Sequence, residues 1–183
     1  KVTSSSRENV SIVLLEFADG TKRPYWNTFY QQVDVDENGK KHYLGQMDLN
    51  IKSPLVLDFY QQTLATLAGY GAKIVRLDAF AYAPKEVGAK NFLNDPGTWE
   101  FLQQITDMAK PYGVSLLPEI HASYEEGTYR IIADKGYMVY DFFLPGLVLD
   151  AFEQQSGEKL AGWANEILDK NMRTVNMLGC HDG

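Results

Sequence analysis

The sequence predicts an α/β fold: part of a (β/α)₈ TIM barrel preceded by a loop-rich segment that contains a β-hairpin. From about residue 53, helical patterns alternate with short apolar runs, which is typical of buried parallel strands joined by right-handed crossovers. Three carboxylates, Asp78, Glu119 and Asp182, each lie at the end of such a run. Because barrel strands converge at their carboxyl ends, these side chains are expected to share one site. A whole barrel takes about 250 residues, so a chain of 183 residues predicts only about half of one.

Residues 1–52 form the loop-rich part, and the barrel segment is predicted at 53–183. Within residues 32–44, Asn38-Gly39 lies between two extended arms, which is a strong signal for a β-hairpin. The same stretch copies the opening of an EF-hand calcium loop, but its twelfth position is Gly45 instead of the bidentate Glu that calcium needs. A solvated hairpin tip is therefore favoured over a calcium site.

Four helix–strand units are predicted in the barrel segment. Ser53-Pro54 supplies an N-cap and a first-turn proline, Gly69 and Gly71 stop that helix, and Pro111 ends the next one. The predicted helices are 53–69, 95–110, about 124–135 and 160–168, and the predicted strands are 72–78, 114–119, 137–142 and 174–179.

The composition excludes several classes of partner. A formal net charge of −7 argues against nucleic acid or an anionic membrane, and no stretch is apolar enough to span a bilayer. Cys180, the single cysteine, cannot form an internal disulfide, so a cytoplasmic location is expected. A small neutral ligand fits this composition better. Because the chain starts at Lys1 and stops directly after Asp182, it is interpreted as a fragment.

Four ordered motifs resemble the signature regions of the α-amylase family of glycoside hydrolases and transglycosidases. Residues 76–78, 117–119 and 180–182 read Arg-Leu-Asp, Leu-Pro-Glu and Cys-His-Asp, and resemble the second, third and fourth regions. Residues 46–50 resemble that family's short motif at the exit of the domain inserted into the barrel. Two longer stretches, 76–82 and 140–145, resemble the sucrose phosphorylase subgroup.

This resemblance implies that the chain holds the end of the inserted domain and about strands four to seven of the barrel. It implies that Asp182 stabilises the distorted sugar ring, that His181 binds sugar hydroxyls, and that His121 and Tyr82 line the acceptor side. It also implies sugar and inorganic phosphate as the small-molecule substrates, with no metal or organic cofactor. Residues 30–44 look like an insertion, so the acceptor need not be fructose.

The roles of two carboxylates follow from the chemistry of a retaining glycosyl transfer. Such a reaction needs a carboxylate nucleophile and a carboxylic acid about 5–5.5 Å apart. Arg76 lies two residues before Asp78 on the same strand face, where its guanidinium keeps Asp78 ionised as the nucleophile. Glu119 follows Pro118 at the end of an apolar strand, where burial favours the protonated form that a general acid requires. Arg76 is also taken as a substrate-binding residue.

Other side chains near the predicted strand ends have plainer interpretations. Asp141 also ends a strand, but it is expected to anchor the backbone or a neighbouring cation and is left out of the site. Trp99 and Trp163 lie on helix stripes and are expected to be core residues. Trp26 and Phe29, in the loop-rich part, are the better candidates for an apolar wall over a sugar.

Three alternatives stay open. Water in place of phosphate would make the protein a hydrolase with the same machinery. A catalytically inactive fragment would fold and associate with itself or with the rest of the barrel, since a half-barrel exposes strand edges. A metal-dependent barrel enzyme would use Asp78, Glu119, His121 and Asp182 as ligands, although the guanidinium of Arg76 disfavours a nearby cation.

Overall fold

The computed structural model describes residues 12–29, 32–44 and 47–179. They cluster into two compact units: the first comprises the described residues up to Thr63 together with Ala81–Ile105, and the second comprises Leu64–Phe80 together with the described residues from Thr106 onward. The fold is mixed α/β, with helices between short parallel strands in the second unit and antiparallel hairpins in the first. The predicted domain division at residue 52 stays a prediction. No helix in the described ranges is long and apolar enough to cross a membrane.

Two hairpins belong to the first unit. β1 (Ile12–Glu16) pairs with β2 (Lys22–Trp26), and β3 (Gln32–Val35) pairs with β4 (Lys41–Leu44), both antiparallel. The second hairpin confirms the prediction made from Asn38-Gly39. Its tip is closed by Asp36, whose Oδ1 accepts hydrogen bonds from the N–H groups of Asn38 at 3.0 Å and Lys40 at 2.9 Å. Gly39 takes the left-handed conformation at φ 76°, which a glycine adopts without steric cost.

The first predicted helix and strand are confirmed. α1 (Pro54–Gly69) begins with proline after Ser53, whose carbonyl accepts from Val56 and Leu57. The helix ends in a Schellman motif, in which Gly71 at φ 93° donates to Ala68 and Ala72 donates to Leu67. The chain then enters β5 (Ile74–Leu77). Gly71 takes the left-handed conformation that this helix end requires, as expected from the glycines predicted to stop the helix.

Parallel strand pairs build the second unit. β5 pairs with β6 (Ser115–Pro118), in a register that sets Ile74 opposite Ser115 and Leu77 opposite Pro118. β7 (Val139–Tyr140) pairs with β8 (Thr174–Val175), and β6 contacts β7. Within the described part of the chain, ladder hydrogen bonds join the strands only as pairs. β7 is shorter than the predicted 137–142, because the backbone turns directly after it, with Leu144 N–H donating to the carbonyl of Asp141 at 2.9 Å.

Four further helices separate these strands, and one of them was not predicted. α2 (Gly97–Ala109) and α5 (Glu158–Asp169) lie where the periodicity places them, whereas α3 (Thr128–Asp134) begins later than predicted. Before α3, Ser123 and Glu126 exchange hydrogen bonds in a turn that ends at Gly127, at φ 67°. α4 (Leu144–Glu153) is the unpredicted helix. Residues 142–149 are almost uniformly apolar and contain Pro and Gly, so they show no helical period.

An aromatic cluster forms part of the core of the second unit. Trp163 of α5 is only 2% exposed, which confirms it as a core residue. Its ring packs edge-on against Tyr129 of α3 at 4.9 Å and Phe143 at 4.8 Å between centroids. Trp99 of α2, in the first unit, is half-buried. These ring contacts join α5 to α3 and to Phe143, the residue before α4.

Candidate active site

Two of the three predicted catalytic carboxylates are bound by one guanidinium group. Arg76 lies on β5, and its Nη1 is 2.5 Å from Oδ1 of Asp78 while its Nη2 is 2.9 Å from Oε1 of Glu119. The structure therefore brings Arg76, Asp78 and Glu119 together at the carboxyl ends of β5 and β6. A single cation that contacts both carboxylates places them side by side at the strand ends.

Strand pairing explains why Glu119 meets Arg76. Glu119 follows β6, and its N–H donates to the carbonyl of Leu77 at 3.0 Å, continuing the β5–β6 ladder. Its Oε2 accepts from the N–H of Ala79 at 2.6 Å. Ala79 has a positive φ of 47°, so the backbone turns sharply after Asp78 and aims this N–H at the carboxylate.

The two carboxylates differ in exposure. The side chain of Glu119 is 12% exposed, whereas that of Asp78 is 74% exposed. Glu119 is thus largely removed from water, and both of its oxygens have a donor. Asp78 presents its second oxygen to solvent. Asp78 is therefore the more accessible of the two carboxyl groups, and the predicted roles of Asp78 as nucleophile and Glu119 as acid/base stay predictions.

Arg76 is held in its charged form. Burial lowers the pKa of Arg76, but the hydrogen bond to Asp78 and the charges of Glu119 and Asp78 outweigh it and leave the pKa above its ordinary value. Its Cζ also lies 5.8 Å from the ring centroid of Tyr140, at the end of β7. The aromatic face adds a favourable contact for the cation. The guanidinium is therefore a permanent positive charge between the two carboxylates.

His121 lies on an aromatic surface at the same strand ends. Its imidazole is exposed and stacks on Phe142, with centroids 4.5 Å apart and planes 18° apart. Phe142 in turn packs edge-on against Tyr140 at 4.3 Å. The contacts Arg76–Tyr140–Phe142–His121 thus connect the guanidinium to the predicted acceptor-side histidine. Sequence reasoning did not assign Tyr140 and Phe142 to the site, although their position at the carboxyl end of β7 is the signal that could have identified them.

Tyr82, the other predicted acceptor-side residue, belongs to the first unit. Its ring packs edge-on against Phe29 at 5.5 Å and against Phe92 at 4.9 Å. Phe29, a candidate for an apolar wall, therefore contacts a predicted substrate-binding residue. Lys85, which the sequence did not single out, donates a hydrogen bond to the carbonyl oxygen of Tyr82.

The remaining predicted residues divide into two groups. His181 and Asp182 lie outside the described residues, so their assigned roles stay predictions. Asp141 is fully buried, and its carboxylate accepts from Asn176 Nδ2 at 2.6 Å and from the N–H of Met177 at 3.0 Å. Burial raises the pKa of Asp141, and these hydrogen bonds partly offset that effect. Asp141 anchors the backbone after β8, as predicted.

No group of three or more His, Cys, Asp or Glu side chains in the described ranges is placed to hold a metal ion. The pair of carboxylates Asp78 and Glu119, at the ends of β5 and β6, encloses the guanidinium of Arg76, which offsets one of their two negative charges.

Comparison with known proteins gives this geometry a context. No protein-family model matches the chain. The chain is 51% identical over 177 residues to sucrose 6(F)-phosphate phosphorylase from Ilumatobacter coccineus, a match that covers 97% of this chain and 34% of that protein. It is 35% identical over 170 residues to sucrose phosphorylase from Streptococcus mutans, covering 92% of this chain and 31% of that one. The chain is related to the sucrose phosphorylases.

A solved structure supports the same relationship to the sucrose phosphorylases. The crystal structure of sucrose 6F-phosphate phosphorylase from Thermoanaerobacter thermosaccharolyticum superposes with a TM-score of 0.75 at 31% identity, covering 94% of this chain and 32% of that one. A further relative, glucosylglycerol phosphorylase from Marinobacter adhaerens, is 32% identical over 168 residues. The resemblance noted in the sequence is thereby confirmed. The chain spans about a third of the length of the curated relatives it matches.

Proposed function

We propose that the protein is a retaining α-glucosyl transferase that cleaves sucrose or a related α-glucoside with phosphate to give α-glucose 1-phosphate. The observation that carries the proposal is the sharing of Arg76 between Asp78 and Glu119, at 2.5 and 2.9 Å. Relatives named as phosphorylases of different glucosides support phosphorolysis as the reaction class. We further propose that β5 to β8 are strands four to seven of a (β/α)₈ barrel, whose carboxyl ends form the active-site mouth.

Two steps complete the proposed reaction. Asp78 attacks the anomeric carbon of the glucosyl group, and Glu119 gives its proton to the departing glycosidic oxygen, leaving a glucosyl ester on Asp78. A phosphate oxygen then attacks the anomeric carbon, the ester bond breaks, and Glu119 takes the proton of the attacking phosphate. The product is α-glucose 1-phosphate and both carboxyl groups regain their starting states. Phosphate is a co-substrate, and the two side chains supply the chemistry without a metal or organic cofactor.

Arg76 has a defined part in this proposal. Its Nη1 contacts Asp78 and its Nη2 contacts Glu119, so it holds the two carboxyl groups next to each other. Asp182 would stabilise the sugar ring in the transition state, and His181 would bind its hydroxyl groups. His121 and Tyr82 would contact the acceptor.

The substrate class is α-glucosides whose second half is a small polyol or sugar. Sucrose 6F-phosphate is tested beside sucrose, because a relative 51% identical to this chain carries that name. The net charge of −7 does not favour either sucrose or sucrose 6F-phosphate as the substrate. The comparison of the two substrates is therefore part of the experiment.

The test uses the protein expressed from its complete reading frame. It is incubated with phosphate and either sucrose or sucrose 6F-phosphate, and glucose 1-phosphate and free glucose are quantified. We expect glucose 1-phosphate, lost in Asp78→Asn and Glu119→Gln. Matched controls are Asp58→Asn and Glu153→Gln, whose side chains are exposed on α1 and α4. Free glucose alone would indicate a hydrolase. The absence of both glucose 1-phosphate and free glucose would refute both reactions. Activity that disappears with a chelator would contradict the metal-free chemistry.

A further inference from the structure

A lysine is buried in the first unit. The side chain of Lys85 is only 3% exposed. Its Nζ donates to the carbonyl oxygen of Tyr82 and lies 3.9 Å from Oδ2 of Asp48, with a side chain 13% exposed. Lysine is rarely buried unless it is paired, because removing an ammonium group from water is costly. The burial of Lys85 is therefore costly unless its ammonium group is paired.

Asp48, the partner of this lysine, is itself held firmly. Its Oδ2 accepts from the N–H of Thr28 at 3.1 Å and from the hydroxyl of Thr28 at 2.7 Å. Its own N–H donates to the carbonyl of Trp26 at 3.1 Å. The carboxylate is thus fixed to the segment that follows β2. Burial lowers the pKa of Lys85, and the nearby charge of Asp48 opposes that effect.

The recipient of the lysine's hydrogen bond is a predicted acceptor-side residue. Lys85 fixes the backbone of Tyr82, while Phe29 and Phe92 contact its ring at 5.5 and 4.9 Å. The N–H of Leu93 donates to the carbonyl of Ala81 at 2.9 Å and closes the loop that carries the tyrosine. Tyr82 is therefore constrained at both its backbone and its ring.

We propose that Lys85 is a positioning residue for the acceptor side of the site: anchored on Asp48, it holds Tyr82 in the orientation that receives the acceptor sugar. The inference rests on the proposed function, in which Tyr82 contacts the acceptor. Lys85 is too buried to touch a substrate, so its effect passes through Tyr82. The loss of its charge should weaken acceptor binding and leave the donor side intact.

Two assays on the complete protein separate these effects. Transfer from glucose 1-phosphate to fructose or fructose 6-phosphate gives the acceptor KM, and release of fluoride from α-glucosyl fluoride reports the donor side alone. For Lys85→Met we expect the acceptor KM to rise about tenfold, the loss expected for one charge-assisted hydrogen bond. Fluoride release should stay within about twofold. Lys90→Met, an exposed lysine of the same loop, should match the wild type in both assays.

A double-mutant cycle tests the route through Asp48. If Lys85 acts from its anchor on Asp48, the acceptor KM of Asp48→Asn combined with Lys85→Met should be close to that of the worse single variant. Additive effects would contradict the proposed anchor.

The outcomes are distinguishable. If Lys85→Met lost acceptor transfer and fluoride release equally and also had a lower melting temperature, Lys85 would be a structural residue and the inference would be overturned. An unchanged acceptor KM in Lys85→Met, with normal glucosyl transfer, would overturn the inference about Lys85 and leave the proposed function standing. A wild-type protein that transfers no glucosyl group would overturn the proposed function and the inference with it.

Discussion

Replacing Glu166 by Gln removes the charge that joins α3 to α5. The carboxylate of Glu166 accepts from Arg130 Nε at 2.6 Å and from the hydroxyl of Tyr129 at 2.6 Å, and Lys170 Nζ lies 3.5 Å away. These groups surround a side chain that is only 16% exposed. The variant keeps the size of the side chain but replaces one of its two accepting oxygens by an NH2 group, so it removes the charge together with one acceptor.

The pKa of Glu166 sets the size of the expected effect. The hydrogen bond from Arg130, opposed by burial and aided by the bond from Tyr129, lowers the pKa of Glu166 from 4.5 to about 2. At about 1.4 kcal/mol per pKa unit, this difference corresponds to roughly 3 kcal/mol. Arg130 is 45% exposed, so solvent screening reduces the expected value to about 1–2 kcal/mol.

The sign of the pH dependence follows from the direction of this shift. A carboxyl group with a lowered pKa in the folded state stabilises the fold above its unfolded pKa, about 4.5. That stabilisation is lost as the pH falls from about 4.5 towards about 2. Wild type and Glu166→Gln should therefore differ in free energy of unfolding at pH 7, and most of that difference should be lost at pH 2.5.

Urea unfolding followed by tryptophan fluorescence measures this difference, because Trp163 packs on Tyr129 beside the ion pair. Glu153→Gln, on the exposed surface of α4, is the matched control and should unfold like the wild type at both pH values. A gap between wild type and Glu166→Gln that is as large at pH 2.5 as at pH 7 would refute the assignment of the stabilisation to the carboxylate charge.

Two further substitutions address the strand ends. Arg76→Lys should lower kcat for glucosyl transfer about a hundredfold, because a lysine cannot bridge Asp78 and Glu119 as the guanidinium does. Steady-state assays that show less than a threefold loss of kcat would contradict the bridging role. Asp141→Ala should lower the free energy of unfolding by about 2 kcal/mol, because the N–H of Met177 loses its acceptor. An unchanged urea midpoint would remove Asp141 from the anchoring role.

The sequence was sufficient to predict the elements whose ends are set by local capping or turn residues. Ser53-Pro54 and Gly71 bound α1 by capping chemistry that acts within a few residues, so no tertiary information is needed. The β3–β4 hairpin is determined in the same way by Asn38-Gly39. By contrast, α4 has no polar face to set a period, and its helical state depends on packing that a local pattern does not contain.

The sequence was sufficient to predict which residues lie at the site, but not which of their side chains contact each other. The positions of Asp78 and Glu119 after β5 and β6 follow from strand periodicity, and so does the side of the strand that Arg76 shares with Asp78. The bond from Arg76 to Glu119 depends on the parallel register of the two strands, which the sequence alone leaves open. Lys85 was missed because a lysine in a loop is ordinarily exposed.

In the proposed reaction, Asp78 forms a covalent glucosyl ester while Glu119 acts as acid/base. The most direct measurement is mass spectrometry of the complete protein carrying Glu119→Gln after incubation with α-glucosyl fluoride, whose leaving group needs no acid. We expect one added glucosyl group on the peptide that contains Asp78, absent when Asp78→Asn is also present. An unmodified protein that still releases fluoride, or a glucosyl group on another residue, would contradict it.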